Sequence, residues 1–181
     1  MQTPYIIHKG IDGVLDVFGP TVEFLTSPSE AEAVYCVMRG TMPPGVTVPL
    51  HSHPDVEGFF LLSGAVQVLT QGGDTCAWRN VQPGSFIHIP SGTKHAFRNT
   101  SSEPVVQLIM TTPQLGRFFQ EIGRPVIPGV PPLPPTPEEL EHFRRLAAHY
   151  HHWLGSPADN AAVGISLVNG HKQLPPQPKE G

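Results

Sequence analysis

The feature that most constrains the fold is a succession of short, strand-like segments between residues 21 and 112. Each is rich in Val, Ile, Leu and Phe, and Gly, Pro or Asp residues separate many of them. No helical apolar stripe interrupts the series, so many strands at short, regular spacing predict an antiparallel barrel or sandwich. The predicted strands are residues 22–26, 33–42, 46–53, 57–63, 65–70, 75–81, 85–90, 94–99 and 105–112.

Composition agrees with one β-rich domain. The chain has 181 residues, 39% of them hydrophobic, with 18 Gly and 22 Pro, which favours strands and turns over a helical bundle. The formal charge of −4 gives no basic face for nucleic acid. No apolar run approaches the ~20 residues that span a bilayer, and the N-terminal segment lacks the features of a signal peptide. We therefore expect a cytoplasmic protein with no nucleic-acid or membrane partner.

After Thr112 the pattern changes. Residues 115–123 carry helical apolar spacing, and residues 125–135 are rich in proline. Thr136 is the predicted N-cap of a second helix that ends at Gly155, and GISLV (164–168) is one further candidate strand. We predict two parts: residues 1–112 form the barrel with an N-terminal arm, and residues 113–181 form an extension that packs on the barrel and is not a separate domain.

The candidate chemistry lies in two blocks of the strand region. His51 and His53 are two residues apart on one predicted strand, so both side chains face the same way. Glu57 begins the next strand after a short Pro-Asp turn, which brings a carboxylate towards the two imidazoles. His95 begins a strand after the Pro90–Gly92 turn, and it supplies a fourth ligand if that strand lies beside the first pair.

These two blocks resemble the two sequence motifs of the cupin superfamily. The first motif is matched by Gly45, His51, His53, Glu57 and Gly64, and the second by Gly84, Pro90, Gly92, His95 and Asn99. Every one of these positions has the expected spacing, and the only departure is Ser85, where Asp is common. The motifs cover about 55 residues, and the strand pattern extends the match to about 90.

The resemblance implies an all-β fold, a double-stranded β-helix (jelly-roll) barrel with peripheral C-terminal helices. It also implies that His51, His53, Glu57 and His95 bind one divalent transition metal ion. Three imidazoles and a carboxylate suit Fe, Ni, Mn, Co, Cu or Zn with positions left open for a substrate. Glu57 has two open roles: a permanent ligand, or a ligand that leaves the metal to act as a catalytic base.

Strand alternation predicts the walls of the pocket around this site. Phe97 shares a strand face with His95. If His51, His53 and Glu57 point inward, alternation directs Thr47, Phe59 and Ser63 inward as well. His88 shares a face with Phe86, so it lines the pocket if that face looks inward and lies in an outer layer if it does not. The expected substrate-pocket residues are Thr47, Phe59, Ser63, His88 and Phe97. The tail histidines His142, His149, His151 and His152 are interpreted as a solvated helix end.

Fold alone does not choose an activity. The ligand set and, loosely, the tail resemble quercetin 2,3-dioxygenase-like cupins. The leading hypothesis is therefore a dioxygenase that combines a small enolic or phenolic, flavonol-like substrate with O2. An oxygen-independent isomerase, lyase or decarboxylase remains open, as does a non-catalytic module that binds a small molecule. The resemblance also implies a homodimer.

Overall fold

The computed structural model describes residues 11–30, 33–72 and 75–167. Within them lie twelve strands and three helices. The strands are β1 (Ile11–Asp16), β2 (Thr21–Phe24), β3 (Cys36–Met42), β4 (Thr47–Ser52), β5 (Glu57–Ser63), β6 (Val66–Gly72), β7 (Thr75–Val81), β8 (Phe86–Ile89), β9 (His95–Arg98), β10 (Val105–Thr111), β11 (Arg124–Pro125) and β12 (Trp153–Leu154). The helices are α1 (Pro113–Ile122), α2 (Pro137–His149) and α3 (Pro157–Ala162).

Two antiparallel sheets make the body of the protein. The larger has the order β11-β1-β2-β3-β10-β5-β8, and the smaller has the order β12-β4-β9-β6-β7. Inward-facing side chains of both sheets form one buried cluster that includes Phe24, Met38, Leu61, Val68 and Val105. Burial of alternate residues on each strand is what drives two such sheets to face each other. The predicted all-β class is confirmed.

The C-terminal extension adds a strand to each sheet. β11 pairs with β1, and β12 pairs with β4. α1 and α2 pack together through a second apolar cluster that includes Leu115, Phe118 and Tyr150. None of the described helices has the length and apolar character required to cross a bilayer.

The predicted second helix begins where the sequence indicated and ends earlier. Thr136 is its N-cap and forms a capping box with Glu139. The helix ends at His149, although its apolar spacing continues to Leu154. The last residues of that pattern belong to β12, because pairing with β4 gives their backbone groups partners in the smaller sheet.

The predicted strand at residues 164–168 is also wrong within residues 164–167, which carry no strand and follow α3. Residue 168 and the Asn169-Gly170 turn lie outside the described residues.

Candidate metal centre

Three strands from both sheets meet at the histidine cluster. His51 lies on β4 and pairs directly with His95 on β9 in the smaller sheet. Glu57 begins β5 in the larger sheet. His53 lies in the turn that joins β4 to β5. The chain thus crosses from one sheet to the other between His53 and Glu57, and this crossing brings imidazoles and a carboxylate together.

A bulge in β4 sets the direction of His51. Val48 pairs with Phe97 and His51 pairs with His95, so β4 has one residue more than β9 over this stretch. A bulge of this kind bends a strand and turns a side chain that strict alternation would direct elsewhere. Pro49 lies inside the bulge, where its missing N–H does not interrupt the ladder.

Backbone carbonyl groups fix the orientation of all three imidazoles. Nδ1 of His51 lies 2.7 Å from the carbonyl oxygen of Pro49, Nδ1 of His53 lies 3.0 Å from that of Asp55, and Nδ1 of His95 lies 2.8 Å from that of Thr93. A carbonyl oxygen only accepts, so each Nδ1 carries hydrogen. Each Nε2 is therefore the nitrogen that can bind a metal.

The three histidines satisfy the spacing of a metal site. One ligand atom from each lies within 4.8 Å of the others. Glu57 is 3% exposed, and its Oε2 lies 3.1 Å from Nε2 of His53 and 3.4 Å from Nε2 of His95. The second contact lacks hydrogen-bond geometry, because Nε2 of His95 is buried without a hydrogen-bond partner in the described chain.

The cluster shifts the pKa values of its own members in different directions. Burial, followed by the charge of His95, lowers the pKa of His51 to about 3. Burial also acts to lower the pKa of His53, but the hydrogen bond and charge of Glu57 outweigh it and the pKa is raised. Burial acts to raise the pKa of Glu57, but His53 and His95 outweigh it and hold the pKa well below its usual range.

The directions of these two pKa shifts agree with an ion pair between a protonated His53 and an ionised Glu57. With Nδ1–H donated to a carbonyl, His53 can donate Nε2–H to the carboxylate only as an imidazolium. A cation at this position would replace that proton and leave an imidazole and a carboxylate as ligands.

The turn that carries His53 is anchored by the second histidine block. The N–H of Gly92 donates to the carbonyl of His53 at 2.8 Å, and the hydroxyl of Ser91 donates to the carbonyl of Pro54 at 2.5 Å. On the other side, the hydroxyl of Thr112 donates to Asp55. The candidate ligands on both blocks are therefore held by contacts between the blocks, which is the rigid support that a metal site would need.

Two cavities meet at the cluster. The larger, of about 270 Å³, lies between β4 and the two packed helices, and the smaller, of about 110 Å³, lies between the sheets. His51 and Glu57 border both. Among the described residues that line them, none is Lys or Arg, and most are aliphatic or aromatic.

The structure separates the predicted pocket residues into two groups. Thr47 lines the larger cavity, and Phe59 and Phe97 line the smaller, with their ring centroids 4.8 Å apart. Ser63 and His88 are exposed on the outer surface, which corrects the expectation that they line the pocket.

Local geometry explains both corrections. The pairing of β10 with β5 shifts between Leu61 and Ser63, so alternation from Leu61 does not continue to Ser63. On β8 the buried residues are Ile87 and Ile89, which turns His88 outward together with Phe86.

His152 lies beside the cluster, although its place in the sequence did not predict this. Its ring centroid lies 5.2 Å from that of His53 and 4.1 Å from that of Phe118, and it borders the larger cavity. The interpretation of the tail histidines as a solvated helix end is therefore wrong for His152, although His149 and His151 are exposed. Burial, followed by the charge of His53, lowers the pKa of His152 to about 4.

The residues present fit a divalent transition metal. The buried, unpaired Nε2 of His95 and the two other Nε2 atoms form a nitrogen-rich donor set. Imidazole donors suit transition metals, whereas Mg²⁺ and Ca²⁺ prefer oxygen. The His51, His53 and His95 group could hold a metal ion.

Comparison with curated proteins finds two relatives from bacteria. Dimethylsulfoniopropionate lyase DddQ from Ruegeria pomeroyi is 35% identical over 82 residues, which cover 45% of this chain and 37% of the relative. Quercetin 2,3-dioxygenase from Bacillus subtilis is 23% identical over 123 residues, which cover 67% of this chain and 35% of the relative. The chain thus spans little more than a third of the length of these relatives.

Among solved structures, oxalate decarboxylase from Bacillus subtilis matches with a TM-score of 0.48 and 24% identity, over 55% of this chain and 27% of that one. The family model described as Cupin domain matches residues 38–111. That segment begins in β3, ends with β10 and includes all four residues of the histidine and glutamate cluster. Over these residues the chain is similar to the family described as Cupin domain.

Proposed function

We propose that this protein is a metal-dependent dioxygenase that acts on a small enolic or phenolic, flavonol-like substrate. The observation that carries the proposal is the position of the histidine cluster, where two largely apolar cavities meet. His51, His53, His95 and Glu57 would hold one divalent metal ion. The bound metal would act as a Lewis acid for the substrate oxygen and as the partner of O2 in the redox chemistry.

The cavity walls favour a neutral aromatic substrate over a small carboxylate. Substrates with a free carboxylate are usually bound by Arg or Lys, and neither residue type borders the described cavities. Phe118, Phe119 and Ile122 line the larger cavity and offer a surface for an apolar ring. The polar groups lie at one end, where a hydroxyl or keto oxygen would meet the cluster.

Glu57 is the residue that would receive the substrate proton. Its carboxylate borders both cavities and is almost fully buried. The carboxylate can accept a hydrogen bond from a substrate hydroxyl, and it would take the proton only once it is released from His53 and His95, whose contacts hold its pKa well below its usual range. Removal of the proton makes an enolic substrate more electron-rich, as reaction with O2 requires. Phe59 and Phe97 would exclude water from the inner side of the site.

A second candidate function is an oxygen-independent lyase, isomerase or decarboxylase. The similarity to dimethylsulfoniopropionate lyase DddQ over 82 residues favours it, because a buried carboxylate beside a metal can also abstract a proton from carbon. A non-catalytic module that binds a small molecule is the third candidate.

Dependence on O2 distinguishes these candidates. The full chain, loaded separately with Fe²⁺, Ni²⁺, Co²⁺, Cu²⁺ and Mn²⁺, is mixed with a flavonol, and substrate loss is followed together with O2 uptake. We expect equal consumption of both, and none under strict anaerobiosis. His95→Ala should abolish turnover, while His88→Ala at an exposed position should not. Anaerobic conversion of substrate would support the second candidate, and the absence of turnover with every metal would contradict the dioxygenase.

We also propose that the protein forms a homodimer, and that its C-terminal extension and its barrel form one structural unit. Phe60 and Phe86 are cross-strand partners on β5 and β8, and both are exposed on the outer face, 37% and 57% respectively. β8 is the edge strand of the larger sheet, and an edge strand with exposed aromatic residues is a surface that favours contact with another chain.

Pairing of β11 and β12 with the two sheets supports residues 113–181 as an extension of the barrel.

A further inference from the structure

His152 presents an unused hydrogen-bonding atom beside the histidine cluster. Its Nε2 is buried and has no hydrogen-bond partner among the described residues. The ring borders the same cavity as His51, His53 and Glu57. A buried polar atom left without a partner is costly, so its retention requires an explanation.

The chain holds His152 in place from both sides. The N–H of His152 donates to the carbonyl of Ala147 at 2.7 Å, and the N–H of His151 donates to that of Ala148 at 3.1 Å. These bonds, with a φ of 59° at His151, form a Schellman motif in which a non-glycine residue takes the left-handed conformation. Immediately after it, Trp153 pairs with Ser52 and Leu154 with His51.

The left-handed conformation of His151 costs conformational free energy, and it places the imidazole of His152 beside the cluster. Residues in sparsely populated backbone regions concentrate at functional sites, where the surrounding structure enforces them. Packing against Phe118 alone would not need a nitrogen, because an apolar side chain of similar size would fill the same space without an unpaired atom.

His152 is also distinct from the metal-binding group. The histidines whose ligand atoms meet the spacing of a metal site are His51, His53 and His95. The carboxylate of Glu57 contacts two of them, whereas Nε2 of His152 has no hydrogen-bond partner among the described residues. His152 lies next to His53 and contributes a polar atom just beyond the ligands.

We infer that His152 hydrogen-bonds an oxygen of the small molecule that coordinates the metal, and that it thereby selects a substrate with two neighbouring oxygen atoms. One oxygen would bind at the cluster, and the other, a hydroxyl or keto group on the adjacent carbon, would pair with Nε2 of His152. The apolar remainder would lie against Phe118 and Ile122 in the larger cavity. This inference rests on the proposed function, since it requires a metal-bound oxygen ligand.

The test uses 4-nitrocatechol as a probe with two adjacent oxygen atoms and a visible absorption band. The full-length protein is loaded with Co²⁺, whose own spectrum reports metal binding, and is titrated with the probe. We expect His152→Phe to bind the probe about tenfold more weakly, the loss of one hydrogen bond in a buried site. His152→Gln, which keeps a hydrogen-bonding group, should fall between His152→Phe and the unchanged protein.

Controls separate this role from a structural one. His149→Gln changes the exposed last residue of α2, three residues before His152, and should leave probe affinity unchanged. Co²⁺ affinity should stay within about twofold in every variant, since His152 is not a ligand. If His152→Phe does not fold, His152→Gln carries the comparison.

The measured affinities for Co²⁺ and for the probe distinguish a failure of the role of His152 from a failure of the proposed metal centre. Unchanged probe affinity in His152→Phe and His152→Gln, with Co²⁺ bound, would overturn the role of His152 and leave the proposed metal centre intact. Co²⁺ binding without probe binding in the unchanged protein would contradict both the substrate class and the role of His152. Absence of Co²⁺ binding would contradict the metal centre itself and would remove the ligand that His152 is inferred to contact.

Discussion

At the scale of single residues, His151 combines exposure with an unfavourable backbone conformation. Its φ of 59° lies in the left-handed region, which glycine adopts freely and which other residues adopt at a cost of order 1 kcal/mol. Two backbone hydrogen bonds of the helix end depend on this conformation. The conformation of His151 therefore lowers the free energy of unfolding, and it sets the backbone geometry that positions His152.

We predict that His151→Gly raises the free energy of unfolding by about 1 kcal/mol, because glycine takes the same conformation without strain. His149→Gly, two residues earlier at the last position of α2, should lower it by about 0.5–1 kcal/mol. Urea unfolding followed by circular dichroism measures both. A loss of stability in His151→Gly would mean that the side chain of His151 makes a stabilising contact that outweighs the strain.

Residue-scale patterns predicted much of the candidate site, with clear exceptions. The spacing within each block indicated that His51, His53, Glu57 and His95 belong together, and the structure places them in contact. The position of Ser63 was not predictable from alternation, because a shift of register beside it is set by the partner strand. His152 is remote in sequence from both blocks, and only tertiary packing brings it to the cluster.

At the scale of elements, α3 fastens the extension to the strand that carries His51. Asn160 is fully buried, and its side-chain oxygen accepts a hydrogen bond from the N–H of Leu50 at 2.9 Å. Its side-chain nitrogen donates to the carbonyls of Gly155 and Ser156 at 2.9 and 3.0 Å. One amide therefore joins β4, the segment after β12 and the beginning of α3.

We predict that Asn160→Ala lowers the free energy of unfolding by about 3 kcal/mol, because it leaves buried N–H and C=O groups without partners. The amide hydrogen of Leu50 should also lose its protection from solvent exchange. Asn80→Ala removes an exposed amide that bonds Gln67 and should change stability by no more than about 0.5 kcal/mol. Equal stability of the two variants would show that Asn160 does not fasten β4.

Elements inside the barrel were predictable, and those of the extension were less so. The boundaries of β5 and β7 coincide with the predicted segments, since Gly and Pro residues lie close to the ends of these segments. α2 ends before the predicted residue, because its apolar pattern continues into a segment that joins the smaller sheet. A pattern of apolar residues alone cannot tell which partner will take up the backbone hydrogen bonds.

At the scale of the whole molecule, the outer face of β5 and β8 is the surface proposed for self-association. It carries the exposed pair Phe60 and Phe86, with Leu62 nearby on β5 at 45% exposure. The face lies on the opposite side of these strands from the buried core, so a change there should leave the cavities intact. His88, which the sequence left open as a pocket residue, belongs to this outer face.

We predict that Phe86→Lys converts a dimer to a monomer, because a charge would be buried in an apolar contact. Light scattering after gel filtration at tens of micromolar gives the mass directly. Leu133→Lys, at an exposed position in the proline-rich connector, is the control and should remain dimeric. A monomeric unchanged protein at this concentration would contradict the proposed dimer.

The central claim is that His51, His53, His95 and Glu57 hold one divalent metal ion, and metal analysis tests it most directly. Metal content after expression and dialysis is measured by mass spectrometry, and Co²⁺ affinity is measured by calorimetry. We predict about one ion per chain for the unchanged protein and for His88→Ala. His51→Ala, His53→Ala, His95→Ala and Glu57→Ala should each weaken affinity by at least about tenfold. Full occupancy in all four ligand variants would contradict the account.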